Sequence, residues 1–442
     1  MNVPGRRHRT SCWIIAGHYV LLAVAWSLVI PLKGPADEAR HFRYLQIVAE
    51  EQRLPGPAEK AEAISHHPPA YYISAAAVYL AARGLGESST WHILRLWSVL
   101  LGGIALWLIY RLLALAFPEQ PAVVYYGTIY VAILPHYLLV CSTVSNDAAV
   151  IVLCTALLYL VALRIVRQDS YKPALLAGLA CGLAVLTKHT ALVLVIPAGM
   201  GLFAGAWLQG EGKQRDGEAA GGSKRSFSAV REVLVYLGAF AFTAGIWLAN
   251  YIGTWGRLDS DPPWPWYSWP HPGLWEKFIR AADGLYRSTW VQMGWLPGPH
   301  SSPPLQPSPL YPRPNLETPV FALLLPLVVL AICGTVVCIW RWYSQSDNRP
   351  RAVVVGTLLA SAVFIYALLT QNAMFVNPGR FEGGRYLLPA VAGYIPLLAI
   401  GPLAVPCGWR KMAWVATYVI MLAMNAISFV EMYAYMIPSF AP

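Results

Sequence analysis

Charge is scarce in this chain. Only 12% of its 442 residues are Asp, Glu, Lys or Arg, against about 25% in an ordinary soluble domain. Clustered cysteines are missing too. The 7 cysteines are scattered singly, and none falls in the long polar stretches 33–68 or 253–318, which excludes a disulfide framework or a zinc knuckle. The chain has no Gly-rich phosphate loop, no GxSxG elbow, no HExxH helix and no repeat of short fixed period. These absences set aside the chemistry of the common soluble nucleotide-binding, serine-hydrolase and zinc-peptidase classes.

What is abundant is hydrocarbon. The chain is 57% hydrophobic, its mean hydropathy is +0.48, and apolar stretches of about 20 residues recur, the length a helix needs to cross a bilayer core of about 30 Å. The fold class is therefore an all-α polytopic membrane protein, a single transmembrane domain over 1–442. Residues 12–32 follow the basic "RRHR" and exceed a signal-peptide core, and no small-residue cleavage site follows them. They read as a retained signal anchor with a cytoplasmic N-terminus. The remaining spans are expected at 91–114, 121–141, 147–166, 173–188, 190–208, 231–252, 319–340, 352–370, 385–404 and 413–437, eleven in all.

The segment 69–83, "PAYYISAAAVYLAAR", sets the orientation of everything after it. It is short for a span, and Tyr71, Tyr72 and Tyr79 suit the membrane–water interface, so it is read as a juxtamembrane helix. That choice puts the basic stretch 209–230, a Gly-rich linker, in the cytoplasm and concentrates the whole formal charge of +10 there, as the positive-inside rule requires. The basic excess is thus a topology signal, and no nucleic-acid partner is implied. Two large elements remain for the outer face: the first loop, 33–90, and the Trp- and Pro-rich 253–318.

Titratable residues gather on that outer face. The first loop runs from "PLKGPADEARHFRYLQ" to "ISHHPPAYY" and holds Asp37, Glu38, His41, His66, His67 and Tyr71. A helix beginning near Asp37 shows Phe42, Leu45 and Val48/Ala49 on one apolar stripe, expected to lie on the membrane. Asp37 has two readings, a helix cap that meets the positive end of the backbone dipole or a reacting carboxylate. Asp147, which opens the fourth span in "CSTVSNDAAV", has the same two. Lys188, in "LTKHTALVLVIP", either holds phosphate or anchors a helix end by snorkelling. "NPGRFEGGRYLLP" adds Arg380, Glu382, Arg385 and Tyr386. A carboxylate beside a guanidinium at a membrane surface suits glycosyl transfer from a polyprenyl phosphate: the carboxylate takes the proton of an acceptor hydroxyl and the cation holds the phosphate. The stretches "DPPWPWYSWPHPG" and "LYRSTWVQMGWLP" in 253–318 read either as an aromatic belt or as a lid whose tryptophans meet sugar.

The acidic pair after the first span, the Pro-Pro-aromatic "HHPPAYY", the acid opening the fourth span and the late "GRYLLP" together resemble the GT-C membrane glycosyltransferases, the group of protein O-mannosyltransferases and lipid A aminoarabinose transferases. The resemblance implies an inverting transfer from a polyprenyl-phosphate-linked sugar to a protein, glycolipid or cell-wall acceptor, at the outer face of a bacterial cytoplasmic (inner) membrane. It puts Asp37 at the catalytic centre; the outer-face reading of the residues sets Glu38 and Asp147 beside it as catalytic candidates and takes His41, His66, His67, Tyr71, Lys188, Glu382, Arg385 and Tyr386 as candidate substrate contacts. Relatives often carry an acid and a lysine where this chain has His66 and His67. Those histidines either meet phosphate or, with Asp37 or Glu38, hold a divalent metal ion. Two other classes compete: a transporter or flippase of lipid-linked sugars, which needs ionisable residues deep inside its spans, and a non-catalytic envelope-assembly protein, which needs none of the acid–histidine–arginine set.

The topology is tested by labelling. Cysteines placed by Ser88→Cys and Ser223→Cys are expected to differ, the first reacting with an impermeant maleimide on intact cells and the second only after lysis; labelling of the second from outside contradicts the orientation.

Overall fold

In a computed structural model the described residues are 6–33, 37–167, 170–215, 222–255, 273–290, 318–375 and 384–436. Among them helices carry the fold and no strand occurs. In chain order they are α1 Arg6–Val29, α2 Glu38–Gln46, α3 Lys60–Ala63, α4 Ala70–Ala82, α5 Glu87–Ala116, α6 Pro121–Ala132, α7 Pro135–Cys141, α8 Asp147–Arg167 and α9 Lys172–Val185. Then follow α10 Val195–Arg215, α11 Gly222–Trp255, α12 Leu274–Trp290, α13 Thr318–Tyr343, α14 Arg349–Phe375, α15 Gly384–Leu387, α16 Val391–Tyr394, α17 Leu397–Ile400 and α18 Cys407–Met436.

Nine described helical stretches are long and apolar enough to cross a membrane, ten if the bent pair α6–α7 is one span. The expected eleventh, 173–188, appears as α9, whose 14 residues fall short of that length. The break in α6–α7 is a 60° bend just ahead of Pro135, whose missing N–H and fixed ring end the first helix and start the second. The span 385–404 is broken more often, into α15, α16, α17 and short 3₁₀ turns around Pro389 and Pro402. It lies deep in the bundle. A Cβ on Gly401 would stand 3.0 Å from the Ala331 nitrogen, so only glycine lets this irregular backbone come so close to α13.

The first loop folds onto the protein. Ala70–Ala82 is not among the candidate spans, in keeping with a juxtamembrane helix. The stripe of α2, expected to lie on the membrane, packs on α4 and α5 instead: Phe42 stacks on Trp91 at 3.9 Å between ring centroids, Tyr44 stacks on Tyr72 at 3.6 Å, and Leu45 is fully buried. Protein surface wins because flat aromatic pairs gain dispersion and quadrupole energy that lipid tails do not supply. The expected linker 209–230 is helical at both ends, as α10 and α11, leaving 216–221 outside the described residues. Within 253–318, α12 is a helix packed against α14 and α15, with Trp290 buried and Tyr286 beside it; Gln292 and Trp295 lie outside the described residues.

Two buried ion pairs pin opposite ends of the bundle. At one end Arg164 of α8 meets Glu232 of α11 at 2.6 Å and Gln209 of α10 at 3.1 Å. At the other, fully buried Arg95 of α5 meets Glu38, the first residue of α2. Arg95 donates from Nε to Glu38 Oε1 at 2.8 Å and from Nη2 to Oε2 at 2.7 Å, and from its remaining N–H groups to the carbonyls of Ser27, Ile30 and Pro31 at 2.6, 2.7 and 2.7 Å. Those carbonyls close the C-terminal end of α1, where no further helical N–H is available. Glu38 also accepts from the backbone N–H of Val144 at 2.8 Å and of Lys33 at 3.1 Å. One guanidinium and one carboxylate thus tie α1, α2, α5 and the approach to α8.

Breaking such a pair leaves an uncompensated buried charge at a cost of about 3–5 kcal/mol. Arg95→Met is therefore expected to lower the melting temperature of the detergent-solubilised protein sharply, and restoring neutrality with Arg95→Met plus Glu38→Gln is expected to recover part of the loss; a single variant melting like the wild type contradicts the assignment.

Candidate active site

Asp37 precedes the sealed Glu38 by one residue, yet its side chain has a different environment. Its backbone is left-handed (φ 60°, ψ 26°) and its carboxylate makes no capping bond to α2, so the cap reading fails. Aspartate tolerates this conformation better than most residues, and its strain is of the kind that functional sites retain. The carboxylate faces two guanidinium groups, Arg40 Nη1 at 3.3 Å from Oδ1 and Arg385 Nη2 at 3.3 Å from Oδ2. Arg40 is held in turn by the Lys60 carbonyl at 2.8 Å.

Arg385 links Asp37 to a second ion pair. Tyr386 accepts from Arg385 Nη2 at 3.2 Å, and its ring has the Arg385 guanidinium at 5.1 Å on one side of the network and Lys188 Nζ at 4.9 Å on the other. Lys188 donates to Asp147 Oδ1, both groups being buried. Lys188 is therefore no snorkelling anchor. Among the described residues Arg385 Nε and Asp147 Oδ2 are buried with no hydrogen-bond partner, which leaves a donor and an acceptor open to a ligand.

His41 and His67 complete the cluster as hydrogen-bonded neutral rings, with His66 beside them. His41 Nδ1 lies 2.8 Å from the Tyr72 hydroxyl. Asn146 Nδ2 donates to the Thr187 carbonyl at 2.9 Å and to His67 Nδ1 at 2.8 Å; the carbonyl contact fixes the amide orientation, so His67 carries its proton on Nε2. His66 stacks edge-on against His67 at 4.5 Å. Burial pushes the pKa of Asp37 up, but the positive charges of Arg385 and Arg40 outweigh it and bring it down to about 2. Burial lowers His41 to about 3 and His67 well below its ordinary value.

The structure thus brings together Asp37, His41, His66, His67, Asp147, Lys188, Arg385 and Tyr386. Tyr71 is buried against Tyr72 as part of the wall. Glu38 stands apart as a fully engaged carboxylate, and Glu382 and Arg380 lie outside the described residues. Sequence reading passed over Arg95, Arg40, Tyr72 and Asn146. Arg95 had a signal: an arginine four residues into an expected span is expensive unless it is paired. Asn146 had none, since a residue ahead of a helix reads as a cap. A metal held by Asp37, Glu38 and His66 does not fit, because both Glu38 oxygens are already occupied by Arg95 and backbone N–H groups. Among the described residues no group of three His, Cys, Asp or Glu side chains could hold a metal ion.

This fold is similar to that of a solved archaeal oligosaccharyltransferase, and part of the chain matches a family of mannosyltransferases. Residues 66–210 match the dolichyl-phosphate-mannose-protein mannosyltransferase family, a stretch that contains the Pro-Pro segment, Asp147 and Lys188. The oligosaccharyltransferase of Archaeoglobus fulgidus in its apo form superposes with a TM-score of 0.52 at 14% identity, covering 98% of this chain and 56% of that one. The same archaeal enzyme in complex with an inhibitory peptide and a dolichol-phosphate gives 0.51 at 13% identity, covering 96% and 56%. This chain therefore spans about half the length of that enzyme. No curated protein matches it in sequence.

The neutral histidines give a pH dependence of known sign. A ring that titrates near 6.5 when unfolded and near 3 when folded binds its proton more readily in the unfolded chain, so its stabilisation is full above about 6.5 and erodes as the pH falls toward 3. The melting temperature is expected to drop from pH 7 to pH 5, and less steeply in His41→Gln; an unchanged slope in that variant contradicts the buried neutral ring.

Proposed function

We propose that this protein transfers a sugar from a polyprenyl-phosphate-linked donor to an acceptor hydroxyl, with inversion, at the outer face of the membrane. The observation that carries this reading is Asp37 facing Arg385 at 3.3 Å, with the open Nε of Arg385 and the Asp147–Lys188 pair adjoining through Tyr386. The archaeal enzyme's complex with a dolichol-phosphate supports a lipid-linked donor, and the charge distribution of the sequence supports the outward placement.

In this mechanism the carrier phosphate binds Arg385, whose planar fork can take two oxygens, with Lys188 as a second cation nearby. That contact draws the guanidinium from Asp37. A carboxylate held near pKa 2 by Arg385 is a weak base, and it becomes stronger when the phosphate shares that charge. Asp37 then accepts the proton of the acceptor hydroxyl as its oxygen bonds to the anomeric carbon. The bond from that carbon to the phosphate oxygen breaks on the opposite face, and its electron pair leaves on the phosphate. One displacement inverts the anomeric centre. Glu38 acts as a positioning residue that fixes the backbone ahead of α2, and Asp147 orients Lys188. His41 and His67 serve as neutral hydrogen-bonding walls, and no step requires a metal ion.

Purified protein incubated with a panel of radiolabelled polyprenyl-phosphate sugars, together with an envelope extract as the source of acceptor, is expected to consume one of them and release free polyprenyl phosphate, whereas a transporter returns every donor intact. Asp37→Asn is expected to fold and bind that donor while losing about 10²–10⁴-fold in turnover, the usual weight of general-base catalysis. Near-normal transfer by that variant removes Asp37 from the chemistry.

A further inference from the structure

Apart from this site, α1, α5 and α6 line a cavity of 490 Å³, within the range of about 300–1,000 Å³ that holds small ligands. Its lining is almost wholly apolar or aromatic, with Ala16, Tyr19, Leu106 and Trp107 among its walls, and it includes a single cation, Arg111. Trp13 and Trp107, both lining residues, are 73% and 49% exposed, so the cavity opens on the flank of two candidate spans, where hydrocarbon chains surround the protein.

Arg111 is unusually placed for a charge. Its guanidinium lies 5.3 Å from the Trp107 ring centre and 5.9 Å from that of Tyr159, and donates to the Tyr159 hydroxyl at 3.4 Å. Among the described residues it has no carboxylate partner. Aromatic faces attract a cation but do not neutralise it, and an unpaired arginine within a candidate span is costly unless an anion meets it. The α1 side of the cavity begins at Cys12, just after Arg6, Arg7 and Arg9 in the chain.

We propose that the cavity binds an anionic phospholipid, with one acyl chain in the apolar space and the phosphate on Arg111. The lipid belongs to the leaflet opposite the candidate active site: Arg111 lies sixteen residues along α5 from Arg95, roughly 24 Å at about 1.5 Å per residue. That separation distinguishes the occupant from a donor whose phosphate sits on Arg385. An anionic headgroup is favoured over a zwitterionic one because Arg111 is the one charge in the cavity lining and its guanidinium already lies against the Trp107 ring.

The test is native mass spectrometry of the full-length protein released from micelles supplemented with phosphatidylglycerol, phosphatidylcholine or polyprenyl phosphate. Wild-type protein is expected to retain one phosphatidylglycerol in preference to phosphatidylcholine. Arg111→Gln is expected to weaken that retention about tenfold or more, the weight of a charged hydrogen bond, and Arg111→Lys to keep most of it. Gly103→Leu offers a second variant, since a Cβ at Gly103 meets only Tyr19 Cε1 at 3.6 Å and a larger side chain fills the cavity; it is expected to abolish retention. Equal retention of both phospholipids, retention unchanged in Arg111→Gln, or Arg111-dependent retention of polyprenyl phosphate in place of phosphatidylglycerol each overturns the proposal.

Discussion

The buried pair of Glu38 and Arg95 is the constraint on which the geometry of the site depends. A buried ion pair is poor evidence for added stability, because taking both charges out of water costs about as much as their attraction returns. What this one supplies is position. Arg95 gathers the last carbonyls of α1, Glu38 begins α2, and Val144 leads into Asn146 and Asp147. The left-handed turn at Asp37 is thereby held between two fixed points. Its carboxylate cannot relax into a helix cap while the next residue is locked inward.

From that anchor the site is assembled by charges that are only partly satisfied. Asp37 has two guanidinium groups and Asp147 a lysine, but Arg385 serves Asp37 with one nitrogen and leaves another open, and Asp147 leaves one oxygen open. Such partial pairing suits a binding site for a phosphate that arrives and departs, since the incoming anion rearranges existing contacts without having to strip a saturated cation. The histidines add shape and hydrogen bonds without charge. The neutrality of His41 and His67 follows from burial.

Much of this was legible in the sequence, for identifiable reasons. Apolar runs longer than a bilayer is thick have few other uses, so the spans could be read directly, and the residues at their ends fell on one face once the charge imbalance had oriented the chain. Asp37, Asp147, Lys188 and Arg385 were found that way. The different surroundings of Asp37 and Glu38 were hidden by adjacency: two neighbouring acids look alike in a sequence, while in the fold one points to Arg385 and the other to Arg95. The stripe of α2 was visible as an apolar face, but periodicity does not distinguish a protein surface from a lipid one. The aromatic rings of α4 and α5 that cover it lie from about thirty to fifty residues further along the chain.

The most direct measurement of the central claim is the anomeric configuration of the product. With a donor labelled at its anomeric carbon, NMR of the glycosylated acceptor reads the stereochemistry of the new bond. A single displacement with Asp37 as base predicts the configuration opposite to that of the donor; retention would require a covalent sugar–enzyme intermediate and would contradict the account.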